Sequence, residues 1–371
     1  MAVVKKRSLQ AGERIRVLVV DDSVVIRRLV THALEQDPEL DVVGVAANGS
    51  IALQRIPQLN PDVLTLDIEM PEMDGLETLR HLRRDYPQIR VIMFSTLTAR
   101  GAAVTLEALT LGADDYVTKA SNEGSLDRSM ARLQEELIPK IKQFFRIPAE
   151  DRVAIRPEQV RVPAAAPLWR SAPVQQGSKV RPRVVVIGVS TGGPTALGAI
   201  LPTLAVGFSL PVLVVQHMPA LFTRFLAERL HSFCPLPVEE AFDGGRVEAG
   251  KILIAPGGFH LQVAANGGEV RVHLDQSPPQ NFCRPAVDAL FSSIADVYGA
   301  AVIAVILTGM GHDGRRGAES LKARGASILA QDEASSVVWG MPGAVVNAGL
   351  ADCVLALDQV VPEILRRVDR N

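Results

Sequence analysis

Ser190 stands in the string Val184-Val185-Val186-Ile187-Gly188-Val189-Ser190-Thr191-Gly192-Gly193-Pro194. A β-branched run ends in Gly-x-Ser-x-Gly, and Pro194 suits the first turn of a helix. This is the pattern of a serine lifted out on a tight strand-to-helix turn, with helix-end N–H groups aimed at whatever the hydroxyl attacks. A serine nucleophile needs a base near neutral pKa and a carboxylate to orient it. His217 directly follows the apolar run Val212-Leu213-Val214-Val215-Gln216, and Asp313 follows Val302–Leu307 across Thr308-Gly309-Met310-Gly311-His312. All three residues therefore belong to the carboxyl rim of one predicted sheet. His32, His81, His231, His260 and His273 fall within predicted helices or a hairpin, and His312 adjoins the proposed acid. Cys283 is a competing nucleophile of thiol type. The string is not a dinucleotide fingerprint, because serine replaces the second glycine. The order serine, histidine, aspartate also departs from the α/β-hydrolase order and argues against a generic lipase.

A second set of reactive side chains lies far upstream. Asp21 and Asp22 end the run Ile15–Val20, and Asp67 ends Val63–Leu66. Three carboxylates at one rim repel unless a cation sits among them, and an all-oxygen site suits Mg²⁺. Ser95 ends the next apolar run and Lys119 follows the last. A hydroxyl and an ammonium there could hold a phosphoryl group on Asp67.

These rims require parallel sheets. Residues 14–147 alternate short strand-like runs, at Ile15–Val20, Val42–Ala46, Val63–Leu66, Val91–Phe94 and Tyr116–Val117, with helical patterns, the last over Leu126–Phe145. Residues 148–182 carry prolines at 148, 157, 163, 167, 173 and 182, reading as a linker in which Trp169 could be tethered to a surface. From 183 to 371 the alternation resumes, with a β-hairpin turning at Asn266-Gly267-Gly268. The predicted fold class is α/β, with two doubly wound parallel-sheet domains.

Composition narrows the function classes. The 371 residues carry a net charge of −2, which gives no electrostatic reason to expect nucleic-acid or membrane binding. The three cysteines, Cys234, Cys283 and Cys353, lack metal or redox spacing and read as reduced cytosolic thiols. The apolar stretch 289–310 is interrupted by Asp296, Tyr298 and Gly299, so it reads as a helix, a turn and a strand rather than a membrane span.

The first domain resembles a response-regulator receiver of flavodoxin-like fold. That resemblance implies phosphate transfer from a histidine kinase to Asp67, and Mg²⁺ held by Asp21, Asp22, Asp67 and the backbone carbonyl of Glu69. It also implies switch roles for Ser95, Tyr116 and Lys119. Met70-Pro71-Glu72-Met73-Asp74-Gly75-Leu76 matches the loop after the phospho-acceptor. The family's proline after the lysine is replaced by Ala120, which puts the placement of Lys119 in question. The second domain, Rossmann-like, resembles the catalytic domain of chemotaxis protein-glutamate methylesterases. The matching strings are Ile187–Pro194, Gln216-His217-Met218, Ala255-Pro256-Gly257-Gly258, Arg284-Pro285-x-Val287-Asp288, Leu307-Thr308-Gly309-Met310-Gly311-x-Asp313-Gly314 and Gly340-Met341-Pro342.

By this resemblance Ser190, His217 and Asp313 form a triad, the N–H groups of Thr191 and Met310 hold an oxyanion, and the esterase site needs no cofactor. Substrates would be γ-glutamyl methyl esters and glutamines of chemoreceptors, met in the cytoplasm. Two expectations follow: activity falls as pH drops through about 6.5, where His217 protonates, and the unphosphorylated receiver covers the Ser190 crevice. A non-enzymatic phospho-switched adaptor and a small-molecule serine esterase are the rival readings.

Overall fold

The computed structural model describes residues 7–10, 12–119, 126–146 and 180–369. The expected linker up to residue 179, Trp169 within it, and Ala120 lie outside these residues. Two parallel sheets organise the chain. The first contains β1 (Ile15–Val20), β2 (Leu40–Ala46), β3 (Val63–Asp67), β4 (Arg90–Ser95) and β5 (Asp115–Thr118), in the order β2-β1-β3-β4-β5. Helices α1 (Val24–Glu35), α2 (Gly49–Leu59), α3 (Gly75–Asp85), α4 (Ala99–Leu111) and α5 (Leu126–Lys142) connect or follow them. Strands β3 to β5 are buried along their whole length, as helices on both faces of a parallel sheet demand. The first four helices each begin at a side chain that accepts a helix N–H: Ser23, Asn48, Asp74 and Thr98.

The second sheet contains β6 (Val184–Val189), β7 (Val212–Gln216), β8 (Val238–Glu240), β9 (Ile252–Ile254), β12 (Val302–Ile306), β13 (Ser327–Gln331) and β14 (Cys353–Leu355). Strands β10 (His260–Asn266) and β11 (Glu269–Asp275) form the expected antiparallel hairpin apart from it. The sheet order is β8-β9-β7-β6-β12-β13-β14, all parallel. Its helices are α6 (Gly193–Ile200), α7 (Ala220–His231), α8 (Val287–Tyr298), α9 (Arg315–Ala323), α10 (Met341–Asn347) and α11 (Val360–Asp369). Helix α8, the turn at Gly299 and β12 account for the apolar stretch 289–310, and no helix among the described residues is long and apolar enough to cross a membrane.

Four elements differ from expectation. Strands β8 and β14 were not anticipated, because each pairs over only three residues at a sheet edge. Helix α10 opens on Met341-Pro342-Gly343, a string that reads as a turn until Pro342 is seen in the helix's first turn. Helix α5 stops at Lys142 rather than Phe145, and Phe145–Arg146 pair instead with Arg7–Ser8.

Strand order locates the crevices. In each sheet the chain moves to one side of its first strand and later crosses to the other, so a crevice opens beyond the carboxyl ends at that reversal. In the first sheet the reversal lies between β1 and β3, and in the second between β6 and β12.

Candidate functional site

The β1/β3 crevice gathers the acidic set. Carboxylate oxygens of Asp21, Asp22 and Asp67 lie within 4.8 Å of one another. Lys119 Nζ stands 2.8 Å from Asp67 Oδ2 and 2.9 Å from Asp21 Oδ2, so the lysine reaches Asp67 with alanine following it in the sequence. Burial raises the Asp67 carboxyl to about 6, outweighing Lys119, which acts in the opposite direction. One ammonium against three carboxylates leaves net negative charge on an all-oxygen donor set, which fits a hard divalent cation. A Cβ on Gly75 would meet the Asp67 carbonyl oxygen at 2.3 Å, so this glycine permits the close return of the loop. The Ser95 hydroxyl is held by α4. It donates to Gly101 O at 3.2 Å and accepts from Thr105 Oγ1 at 2.6 Å, both on α4. Glu69 is exposed, its side chain 3.6 Å from Arg100.

The β6/β12 crevice gathers Ser190, His217 and Asp313. Ser190 follows β6, and Gly192 at φ +77° bends the chain into α6, a conformation that glycine adopts without cost from a Cβ. The Ser190 amide is held by Thr308 O at 3.0 Å, which ties β6 to the loop after β12. Gln216 Nε2 donates to Ser190 O at 2.9 Å and to His217 O at 3.3 Å, fixing the two strand ends together. A Cβ on Gly309 would strike Ser190 Cβ at 2.8 Å, so the Gly309-Met310-Gly311 loop lies directly against the serine. The amide N–H groups of Thr191 and Met310 have no acceptor among the described residues.

His217 Nε2 bonds Asp313 Oδ2 at 2.8 Å. Asp313 is 3 % exposed, yet its oxygens are fully used. Oδ2 also accepts from Val287 N at 2.6 Å, and Oδ1 accepts from Asp288 N, Gly314 N and Asn281 Nδ2. Two of these donors are the first amides of α8, whose dipole favours an anion there. Burial opposes ionisation of Asp313, but His217 and these donors together hold its carboxyl below the usual range. Burial likewise opposes charge on His217, but the Asp313 bond and Cys283 prevail and raise the imidazole above its ordinary value. No hydrogen bond joins Ser190 to His217 among the described residues; the imidazole's Nδ1 has Cys283 Sγ at 3.5 Å instead.

Sequence reasoning missed the turn that delivers these contacts. Gln280 and Cys283 exchange both backbone hydrogen bonds, closing a tight turn with Asn281 at φ +50° and Phe282 at φ +64°. Two successive left-handed residues are the mark of a type I′ turn, which favours Asn-Gly. Phenylalanine in the second position is strained by of order 1–3 kcal/mol. Asn281 Nδ2 bridges Asp313 Oδ1 and Asp288 Oδ2. The Arg284–Asp288 match was the nearest signal in the sequence, but nothing in it exposed the turn just before.

The two sheets meet. Thr191 Oγ1 donates to Asp115 Oδ2 at 2.9 Å, and Thr195 Oγ1 donates to Leu109 O at 3.1 Å. The rings of Tyr116 and Phe222 stack at 4.8 Å with an 8° interplanar angle. Asp115 is steadied from α5 by Lys140 and from just beyond it by Gln143. The face made by α4, β5 and α5 thus rests beside the Ser190 turn.

The class that these features define is a receiver-type α/β domain coupled to an α/β domain with serine, histidine and aspartate at its switch-point crevice. Residues 17–131 match the family model "Response regulator receiver domain" and residues 185–364 match "CheB methylesterase". A protein-glutamate methylesterase/protein-glutamine glutaminase of Trichodesmium erythraeum is 48 % identical over 96 % of this chain and 99 % of its own length. A second so named, from Nocardioides sp., is 52 % identical over 96 % of each. The solved catalytic domain of Thermotoga maritima CheB is 46 % identical, covering 50 % of this chain and 99 % of its own, at a TM-score of 0.49. The chain belongs to the CheB family of receiver-bearing protein-glutamate methylesterases.

Proposed function

We propose that this enzyme removes methyl groups from γ-glutamyl methyl esters of chemoreceptors, through Ser190, His217 and Asp313, under control of a phosphoryl group on Asp67. The observation that carries this reading is the His217–Asp313 bond beside a serine flanked by two amides without acceptors among the described residues. Ser190 Oγ attacks the ester carbonyl while His217 Nδ1, the nitrogen not engaged by Asp313, takes its proton. Resting structures commonly show that hydrogen bond unformed. Thr191 and Met310 N–H groups receive the oxyanion. The C–O bond breaks as His217 returns the proton to departing methanol. Water, deprotonated by His217, then attacks the acyl-serine and frees glutamate. A glutamine side chain would follow the same course and lose ammonia.

In this reading residues 14–147 form the receiver, 148–182 the linker and 183–371 the esterase domain, all acting in the cytoplasm. Mg²⁺ would be held by Asp21, Asp22, Asp67 and the Glu69 carbonyl, and would neutralise charge on a phosphoryl group received from a histidine kinase. Ser95 contacts α4 through Thr105, and α4 contacts α6 through Leu109 and Thr195, so a change at Asp67 has a physical route to the docked face. Tyr116 would answer that change through Phe222, on which its ring lies.

Methanol release from a methylated receptor tests the reading. Ser190→Ala should lower the rate by at least roughly 10⁴-fold. An unchanged rate would leave the adaptor standing, and activity on p-nitrophenyl esters without activity on receptor would favour the small-molecule esterase. Removal of residues 1–147 should raise the basal rate; an unchanged rate would exclude occlusion.

A further inference from the structure

Phe282 is 101 % exposed, the most exposed of the large apolar side chains described. It occupies the strained second position of the 280–283 turn, where glycine would sit without penalty. Its two neighbours both reach the catalytic residues: Asn281 bonds Asp313, and Cys283 contacts His217. The ring therefore projects from the rim of the crevice and is not used to build it. The receiver docks on the Thr191 and Phe222 side and leaves this ring bare. Met310, on the loop packed against Ser190, is 40 % exposed. Both exposed apolar side chains thus belong to segments that touch the catalytic residues, Phe282 through Asn281 and Cys283 and Met310 through Gly309.

We propose that Phe282 is a specificity-determining residue, an apolar anchor for the polypeptide segment that carries the esterified glutamate. This rests on the methylesterase reading above. An exposed aromatic of few rotamers loses little freedom when a partner covers it, which makes it an effective contact point. A small ester that fills only the space at Ser190 has nothing to lay against the ring.

The test compares the full-length chain with Phe282→Ala and Phe282→Gly, each treated with acetyl phosphate and Mg²⁺. Glycine keeps the turn and relieves its backbone while removing the ring, so it separates anchoring from turn geometry. Both variants should lose about tenfold in kcat/KM on methylated receptor, equivalent to about 1.4 kcal/mol, chiefly through KM. Both should hydrolyse p-nitrophenyl acetate at the parent rate, and Phe282→Trp should retain receptor activity. Receptor and small-ester rates falling together, or neither falling, would overturn the anchor. A parent chain inactive on receptor would instead bring down the methylesterase reading, and the anchor with it.

Discussion

His217 and Asp313 form a pair whose shifts point in opposite directions: the imidazole is raised and the carboxyl is lowered. A base must be neutral to accept the Ser190 proton. The acid limb of the rate profile should therefore lie above the 6.5 of an unperturbed imidazole, where the sequence alone put it. Measuring kcat/KM on a small ester from pH 5 to 9 checks this. Asp313→Asn should move the limb downward while lowering the rate roughly 10⁴-fold, as loss of the orienting carboxylate does elsewhere. Stability carries the same signs. The histidine's contribution is complete below its unfolded value and is lost as pH rises through the raised one. The aspartate's is complete above its unfolded value and is lost as pH falls toward the lowered one. The pair should thus protect the second domain most between about pH 4 and 6.5, which thermal melts of Asp313→Asn against the parent across that range would show.

At the scale of elements, the glycines after β12 matter through what they let approach. Gly309→Ala would place a methyl at 2.8 Å from Ser190 Cβ and 2.4 Å from Met341 Sδ, displacing the Met310 amide. The expected loss on any ester is about 10²–10³-fold in kcat, the scale of losing one oxyanion donor, and steady-state kinetics on p-nitrophenyl acetate would read it. Much of this geometry was legible in the sequence. Buried parallel strands are written as β-branched runs, and residues directly after such runs must share a rim; that places Asp21, Asp67, Ser190 and His217. What was not legible depends on contacts between segments distant in the chain. The side-chain direction of Ser95, the 280–283 turn and the edge strand Cys353–Leu355 each exist because of a neighbour that no local pattern names.

At the scale of the whole molecule, docking joins the receiver's α4 and β5 to the second domain, Asp115 to the Ser190 turn at Thr191, Leu109 to α6 at Thr195 and Tyr116 to α7 at Phe222. Loss of a hydrogen bond to a charged group is worth about 1.5–3 kcal/mol. Asp115→Ala, which removes the acceptor of the Thr191 hydroxyl, should therefore raise unphosphorylated esterase activity by roughly tenfold or more if this contact holds the domains together, and an assay without phosphodonor measures it. The docked face is not the acidic rim. Asp22 stays exposed and Lys119 is 20 % exposed at the β1/β3 crevice, while Asp115 and Tyr116 are covered. On the proposed reading, phosphoryl transfer to Asp67 would need no prior parting of the two domains. Phosphoryl uptake by the intact chain should keep pace with uptake by its detached first domain, and any delay in output belongs to the parting of the two halves.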